Sequence, residues 1–333
     1  MTRISSPALT SRIAHTVGRT AVAVAALVIV ANAFAQTRGV TRTPWGDPDL
    51  QGTFTNKNEV STPFERPAEF QGRRIEDISA AEVAAILKKR DDDRPGVQAV
   101  APGRVGPIEW QSQVDLTKGS RLWFVTSPLD GHIPPLTAAA RARAAAREQA
   151  QPAKGPAASW RDLGLSARCI TEGLPASMIP GTSGNSYEII QGPGYVAIRY
   201  ERIHDVRVIP LDGPPHAHAR VRAHLGDAHG RFQGDTLIVE TTNFREESAY
   251  RGANPERLRL VERFTPQPDG TLTWSVTVDD PSTWTSPWTF SMALTPDPGE
   301  QVLEYACHEG NRAMANILSA ARAEERGGRE GGK

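Results

Sequence analysis

The chain has 333 residues, of which 38 are basic and 38 acidic, so its formal net charge is zero. Such a chain offers neither the electrostatic footprint that nucleic acid requires nor a polybasic surface for a membrane. Its 29 glycines and 26 prolines favour short strands joined by turns over long helices. Composition therefore argues against a nucleic-acid partner and indicates a β-rich protein of one large domain or two small ones.

The first 35 residues predict an export signal. Three arginines precede an apolar run at residues 21–31, and no acidic residue lies among them. Residues 33–35, Ala-Phe-Ala, then provide the small-x-small pattern of a cleavage site. The apolar run is too short to cross a bilayer as a mature helix. We therefore expect a periplasmic or secreted protein without stable membrane insertion after cleavage, and an uncleaved anchor is the alternative.

Two cysteines, Cys169 and Cys307, predict one disulfide. An even number of cysteines in an oxidising compartment usually forms bridges. Closing so long a loop would stabilise the fold by roughly 4–5 kcal/mol in the chain-entropy model. A catalytic thiol is the alternative, and it is disfavoured because the sequence around neither cysteine is of a kind that lowers a thiol pKa.

Residue patterns divide the chain into segments. Residues 36–160 are predicted to be irregular, partly helical and wrapped around the core, whereas residues 161–325 are predicted to form the β domain with a C-terminal helix. Within the first segment, the capping box that Ser79 opens predicts a helix over residues 80–90. The Gly-rich, charged tail at residues 326–333 is predicted to be disordered.

Alternation of apolar and polar residues predicts strands in the second segment. Residues 272–278 alternate strictly, residues 195–200 repeat the rhythm, and Asp269-Gly270 is a strong hairpin signal. A last strand is expected over residues 301–307. Successive strands joined by tight turns predict a mainly β fold, an antiparallel meander with a few peripheral helices. It would close into a calycin-like barrel or, alternatively, fold into a sandwich.

Five strings along the chain have a specific motif character: RCI at 168–170, IHDVRVIPLDG at 203–213, GRFQGDTL at 230–237, ETTNF at 240–244 and YACHEGN at 305–311. Together they resemble the motifs of a family of uncharacterised secreted bacterial proteins that has no assigned activity. The resemblance covers most of residues 44–325. It implies export and a single shared domain, and it assigns no catalytic residue.

Glu262 is the carboxylate with the most unusual position in the sequence. It shares a predicted strand face with Leu258, Leu260 and Phe264, so it is expected to point into the apolar core. Burial raises the pKa of a carboxyl group and a basic partner lowers it again. Such a group suits acid–base catalysis. The alternatives are a structural ion pair with an inward arginine and an edge strand that leaves Glu262 near water.

His204 is the leading catalytic candidate. It lies with Asp205 between two predicted strands, where an imidazole can act as general acid or base near neutral pH. Adjacent strand residues point to opposite faces, so Asp205 need not orient His204. We expect Glu262 to lie near His204, with Arg207 as anion stabiliser and Tyr200 in contact with the substrate. The alternative is that Asp205 or Arg207 serves a turn or an ion pair.

Histidines are concentrated in one segment, since five of the eight fall between positions 204 and 229. His216 and His218 have the spacing that places two imidazoles on one strand face. With His224, His229 or Glu240 they would form a metal site. The segment follows two prolines and is predicted to be a loop, and it lacks an HExxH motif. A solvated loop is therefore favoured, and no metal or other cofactor is expected.

Aromatic residues and a further histidine complete the candidate substrate contacts. Trp284 and Trp288 flank a short loop and would form either a wall for a sugar or aromatic ligand or a packed plug of the barrel. His308 follows Cys307 directly, so a disulfide would hold it rigidly for binding or for a structural hydrogen bond. The sequence has no Walker A, GxGxxG or GxSxG motif, which argues against nucleotide binding and a nucleophile-elbow hydrolase.

These patterns predict a secreted β-barrel that binds a small apolar or aromatic compound. The leading hypothesis is an acid–base enzyme, a lyase, isomerase or hydrolase, because ionisable residues fall on or beside apolar strand faces where packing alone would prefer Leu or Val. The alternatives are a periplasmic carrier without turnover and a glycan- or envelope-binding protein. Convergence of His204 and Glu262 in one pocket would favour the enzyme.

Overall fold

The computed structural model describes residues 40–93, 114–150, 157–181, 183–213 and 215–330. The export signal predicted for residues 1–35 lies outside these ranges and stays a prediction. Thr41–Lys333 belongs to one compact unit. Within the described ranges, no helix has the length and apolarity needed to cross a membrane.

The described residues form one antiparallel sheet that curls into a nearly closed barrel. Its strands are β1 (Gly52–Thr55), β2 (Val125–Ser127), β3 (Ser186–Gly192), β4 (Tyr195–Tyr200), β5 (Val206–Pro210), β6 (Asp227–Gln233), β7 (Thr236–Thr242), β8 (Arg259–Pro266), β9 (Leu272–Asp279) and β10 (Trp288–Pro296). Their order in the sheet is β5-β4-β3-β1-β10-β9-β8-β7-β6, and β2 pairs with β10. The predicted antiparallel β-barrel is therefore confirmed.

The barrel closes along a seam where the two ends of the sheet, β5 and β6, meet. Leu211, directly after β5, forms a parallel bridge with Gly230 of β6, and the Asp212 N–H donates to the Gly230 carbonyl over 3.0 Å. A Cβ at Gly230 would lie 2.9 Å from side-chain atoms of both Ile209 and Leu211. This close approach requires glycine. Along the described seam, the two end strands are therefore joined by an isolated β-bridge and not by a continuous series of backbone hydrogen bonds.

One strand of the N-terminal segment, β1, is part of the barrel wall. β1 lies between β3 and β10, where Phe54 pairs with Tyr187 on one side and with Pro296 on the other. Hydrogen bonds to both neighbours make this short strand the link between the two halves of the sheet. The N-terminal segment therefore contributes a strand to the sheet.

Large side chains fill the barrel interior. Burial alternates along β9, as the sequence pattern predicts, because successive residues of a strand point to opposite faces. The largest fully buried side chains include Trp274, Trp288, Tyr187, Tyr200, Phe244, Phe264 and Phe290. Trp274 and Phe290 pack edge to face with their ring centroids 5.5 Å apart. Each such side chain contributes roughly 1.5–3 kcal/mol through burial.

Three longer helices lie outside the sheet in the described part of the chain: α1 (Ala80–Asp92), α2 (Ala138–Ala150) and α3 (Arg312–Glu330). One prediction near the C-terminus is wrong. Residues 301–306 form no strand, because β10 already pairs with β1 on one edge and with β9 on the other. Of the tail at residues 326–333, which is predicted to be disordered, the part up to Glu330 lies in α3 and the rest lies outside the described residues.

The capping box predicted at the start of α1 is half formed. The Ser79 hydroxyl accepts a hydrogen bond from the Glu82 N–H at 3.2 Å. The Glu82 carboxylate does not complete the box, because it binds the Arg73 guanidinium at 2.6 and 2.9 Å. Arg73 offers a charge-assisted bidentate contact, which is stronger than a neutral backbone N–H.

Replacement of Ser79 by alanine is expected to lower the free energy of unfolding by about 1 kcal/mol, because it leaves a helix N–H without its acceptor. Ser79→Asp is the matched control, since aspartate caps helices as well as serine does. Urea denaturation followed by circular dichroism measures both variants. Equal losses in the two variants would show that the hydroxyl contact does not stabilise α1.

The predicted disulfide is present. Cys169 and Cys307 are bonded with their Cα atoms 5.7 Å apart, and the bridge joins the segment after β10 to the connection before β3. Asn311 strengthens this junction by donating to the Ala167 carbonyl at 2.9 Å. Further along α3, the Arg322 guanidinium donates to the Ala158 carbonyl at 3.0 Å. The C-terminal segment is therefore held on the barrel by one covalent bond and several polar contacts.

Candidate functional site

A buried ion pair lies inside the barrel. Arg207 on β5 donates to Glu262 on β8 through both terminal nitrogens, at 2.5 Å to Oε2 and 3.1 Å to Oε1. The two side chains are 3% and 0% exposed. The Trp274 indole N–H donates to Oε1 of the same carboxylate at 3.1 Å. Glu262 thus points into the core as predicted, and its partner is the inward arginine.

The electrostatics of this pair favour the charged form of Arg207. Burial by itself lowers the pKa of Arg207, but the nearby Glu262 carboxylate outweighs that effect and holds the pKa above its ordinary value. Burial raises the pKa of the Tyr200 hydroxyl. Two buried atoms, the Tyr200 hydroxyl and Arg207 Nε, have no hydrogen-bond partner of good geometry within the described residues. Unpaired buried groups of this kind are rare in native proteins.

The pair also connects the two sides of the seam. β5 is one end strand of the sheet, and β8 lies beyond β6 and β7 on the other side. A bidentate contact across the interior therefore fastens strands that share few backbone hydrogen bonds. This arrangement suits a structural role, and it matches the ion-pair alternative for Glu262.

The structure does not bring His204 together with Glu262. His204 is exposed in a 3₁₀ turn between β4 and β5, whereas Glu262 is fully buried. No hydrogen bond or ion pair joins them in the part of the chain that the structure describes. The physical reason is that His204 lies in the turn that precedes β5, outside the strand. Arg207 lies within β5, where its side chain points into the barrel. The catalytic roles predicted for these residues stay predictions.

The remaining predicted substrate contacts are not gathered in one open site. Trp284 and Trp288 are buried in the core with their ring centroids 5.7 Å apart, so they form a packed plug and not an exposed shelf. Tyr200 is buried beside Tyr187. His308 is exposed in the single helical turn Cys307–Gly310.

A cluster of metal-ligand type lies on the outer side of the barrel near the seam. His216 Nδ1 is 3.2 Å from Asp227 Oδ2, and His229 Nε2 is 3.3 Å from Asp227 Oδ1. One ligand atom from each residue lies within 4.8 Å of the others, and all three side chains are half-buried. Asp227 and His229 share one face of β6, while the loop before β6 supplies His216.

A second layer of polar groups surrounds this cluster. Glu240 lies opposite His229 on β7, and its Oε1 is 3.8 Å from His216 Nε2. Arg259 holds Glu240 through a contact of 2.5 Å. The Ala217 N–H donates to Asp227 Oδ2 at 2.7 Å. Burial alone would raise the pKa of Asp227, but the Ala217 N–H and the imidazoles outweigh burial, and the pKa is lowered.

The spacing of the three side chains suits a small tetrahedral cation. Zinc binds His nitrogen and carboxylate oxygen at about 2.0–2.2 Å, which places neighbouring ligand atoms about 3.3 Å apart. The two imidazoles lie 3.2 and 3.3 Å from different oxygens of the Asp227 carboxylate, and one ligand atom from each residue lies within 4.8 Å of the others. A carboxylate on the far nitrogen of a ligand histidine, the position of Glu240 beside His216, is the usual support for a metal-bound imidazole. Three protein ligands leave one coordination position for water or substrate.

Sequence patterns missed Asp227 and the way in which the cluster forms. The segment around His216 was expected to be a solvated loop, and His218 and His224 were grouped with it. Neither of these two belongs to the cluster. The available signal was the Asp-x-His spacing of Asp227 and His229, which puts both on one face once residues 227–233 are recognised as a strand.

The fold and these contacts define a nearly closed antiparallel β-barrel with a candidate metal centre on its outer face. Comparisons with protein-family models, with curated proteins and with solved structures find no match to this chain. The resemblance to secreted bacterial proteins therefore stays a prediction.

Proposed function

We propose that this protein binds a divalent transition-metal ion, with Zn²⁺ as the best fit, through His216, Asp227 and His229. The observation that carries the proposal is the pair of 3.2 and 3.3 Å separations between two imidazoles and one carboxylate. Imidazole with carboxylate suits zinc, copper and nickel better than calcium or magnesium. Glu240 adds support, because its carboxylate lies 3.8 Å from the far nitrogen of His216, on the side where a supporting carboxylate is found in metal sites.

An extracytoplasmic location belongs to the same proposal. The Cys169–Cys307 disulfide supports it, because such bonds persist mainly in oxidising compartments. The export pattern of residues 1–35 supports it independently. In that setting the metal site would meet the free metal ions of the periplasm or the medium.

Wild-type protein without an affinity tag is expected to bind one Zn²⁺ per chain. Replacement of His229 by alanine removes one of three ligands and should weaken binding by roughly 100-fold or more. Glu240→Gln should weaken it by about 10- to 100-fold, the usual effect of a supporting carboxylate. Calorimetric titration, with elemental analysis of the purified protein, measures both effects.

His218→Ala is the matched control for the metal experiment. This imidazole lies in the same loop, two positions from His216, but outside the cluster. The His218→Ala variant should bind zinc as the wild type does. Two outcomes would contradict the proposal. One is weak zinc binding whose affinity does not change in His229→Ala. The other is a loss of affinity in His218→Ala as large as the loss in His229→Ala.

A second candidate function is binding or acid–base turnover of a small organic ligand beside the Arg207–Glu262 pair. It is favoured by the Tyr200 hydroxyl and Arg207 Nε, two buried polar atoms that interact with each other but form no hydrogen bond of good geometry with any described residue. The filled interior weighs against it, because the large aromatic side chains occupy the space of a ligand. Glu262→Gln separates the cases: loss of ligand binding with unchanged stability would support this candidate, and marked destabilisation would oppose it.

A further inference from the structure

A groove rich in arginine lies away from both the buried pair and the metal cluster. Its volume is about 640 Å³. The charged residues that line it are Arg143, Arg147, Arg220, Arg222, Glu246 and Glu256. Arg143 and Arg147 are four positions apart on α2, so they project from the same side of that helix. Two independent segments of the chain, α2 and the loop before β6, thus direct guanidinium groups into one space.

The carboxylates of the groove neutralise it only in part. Arg147 contacts Glu246 and Arg222 contacts Glu256, each at 3.3 Å. The two glutamate side chains are 75% and 71% exposed, and exposed pairs of this kind contribute little. A ligand anion can displace them at low cost.

The other two arginines keep free hydrogen-bonding capacity. Arg143 donates through Nη2 to Thr283 at 2.9 Å, which fixes the side chain and leaves Nη1 for a ligand. The Arg220 side chain is exposed and has no hydrogen bond or ion pair to any described residue. Four guanidinium groups against two carboxylates leave an excess of two positive charges in a chain whose formal net charge is zero.

We propose that this groove binds the phosphate group of a small phosphomonoester. A phosphate monoester carries a charge of about −1.5 to −2 near neutral pH, which balances the local excess. Guanidinium forks bind phosphate oxygens in bidentate fashion, and these contacts are stronger than neutral hydrogen bonds. The groove can also hold the organic part of such an ester. This inference does not depend on the metal site.

Calorimetric titration with phenyl phosphate tests the proposal at low ionic strength and in the presence of EDTA, so that a metal ion cannot bind the ligand. Saturable binding is expected at one site. The double variant Arg220→Gln/Arg222→Gln should weaken it by roughly tenfold or more, because it removes charge-assisted contacts. Glu256→Gln should strengthen binding, since it removes the carboxylate that competes for Arg222.

Arg263→Gln is the control for net charge. Arg263 is exposed on β8 and does not line the groove. Its loss should leave binding unchanged. Phenyl sulfate has a similar shape but a single charge, and it should bind more weakly. Three results would overturn the proposal. The first is binding of phenyl phosphate that does not saturate. The second is a loss of affinity in Arg263→Gln as large as the loss in the double groove variant. The third is binding of inorganic phosphate as tight as that of phenyl phosphate.

Discussion

Removing either partner of the Arg207–Glu262 pair is expected to lower the free energy of unfolding by roughly 3–5 kcal/mol. The reason is that Glu262→Ala leaves a buried guanidinium without its counter-charge, and Arg207→Ala leaves a buried carboxylate. The Trp274 N–H alone cannot compensate that carboxylate. Urea denaturation followed by circular dichroism measures both variants, and Glu262→Gln should also destabilise because it abolishes the charge.

The barrel provides a matched control in a second cross-strand pair. Arg199 donates to Glu188 at 2.8 Å, but these side chains are 30% and 33% exposed. Breaking the Arg199–Glu188 pair should lower the free energy of unfolding by only about 0–1 kcal/mol. The double change Arg207→Met/Glu262→Met removes both charges and should recover much of the stability that either single change loses. Similar small losses at both pairs would contradict a structural role for Arg207 and Glu262.

Loss of the disulfide is expected to lower the free energy of unfolding by roughly 2–5 kcal/mol. In Cys307→Ser the C-terminal segment should be held less firmly on the barrel, because only non-covalent contacts remain, among them the hydrogen bonds of Asn311 and Arg322 and the buried Val302 and Ala321. Residues 301–306 lack regular structure, and Leu303 and Tyr305 are exposed there. Limited proteolysis should therefore cleave this stretch faster than in the wild type.

Dithiothreitol provides the control for the disulfide. Reduction of the wild type should reproduce both the stability and the cleavage rate of Cys307→Ser, and it should leave that variant unchanged. If reduction altered neither property of the wild type, the bridge would contribute nothing to the attachment of the C-terminal segment.

Local patterns were sufficient for most elements of the β domain. Period-two alternation identified β9 and the inward face that Glu262 shares with Leu260 and Phe264, because side-chain direction in a strand follows from position alone. The Asp269-Gly270 turn lies between β8 and β9, as expected of a hairpin signal. Local patterns were not sufficient for residues 301–306, since strand formation also requires a free strand edge.

Long-range placement could not be predicted in the same way. The partner of Glu262 was left open between a histidine and an arginine, because contacts across a barrel depend on its closure and register. The metal cluster shows the same limit. Asp227 and His229 are close in sequence, but the path of the preceding loop decides whether His216 reaches them.

By itself, the sequence determined a mainly antiparallel β fold, and it favoured a barrel, an inward Glu262 and a bond between Cys169 and Cys307 over the alternatives. Each of these features follows from a short residue period or from the number of cysteines. Periods and residue counts can be read without the tertiary structure. Only the tertiary structure decided that Arg207 neutralises Glu262 and that β1 links the halves of the sheet. It also brought His216 onto β6. These outcomes depend on which strands meet, and that choice minimises unpaired buried charge and open strand edges over the whole molecule.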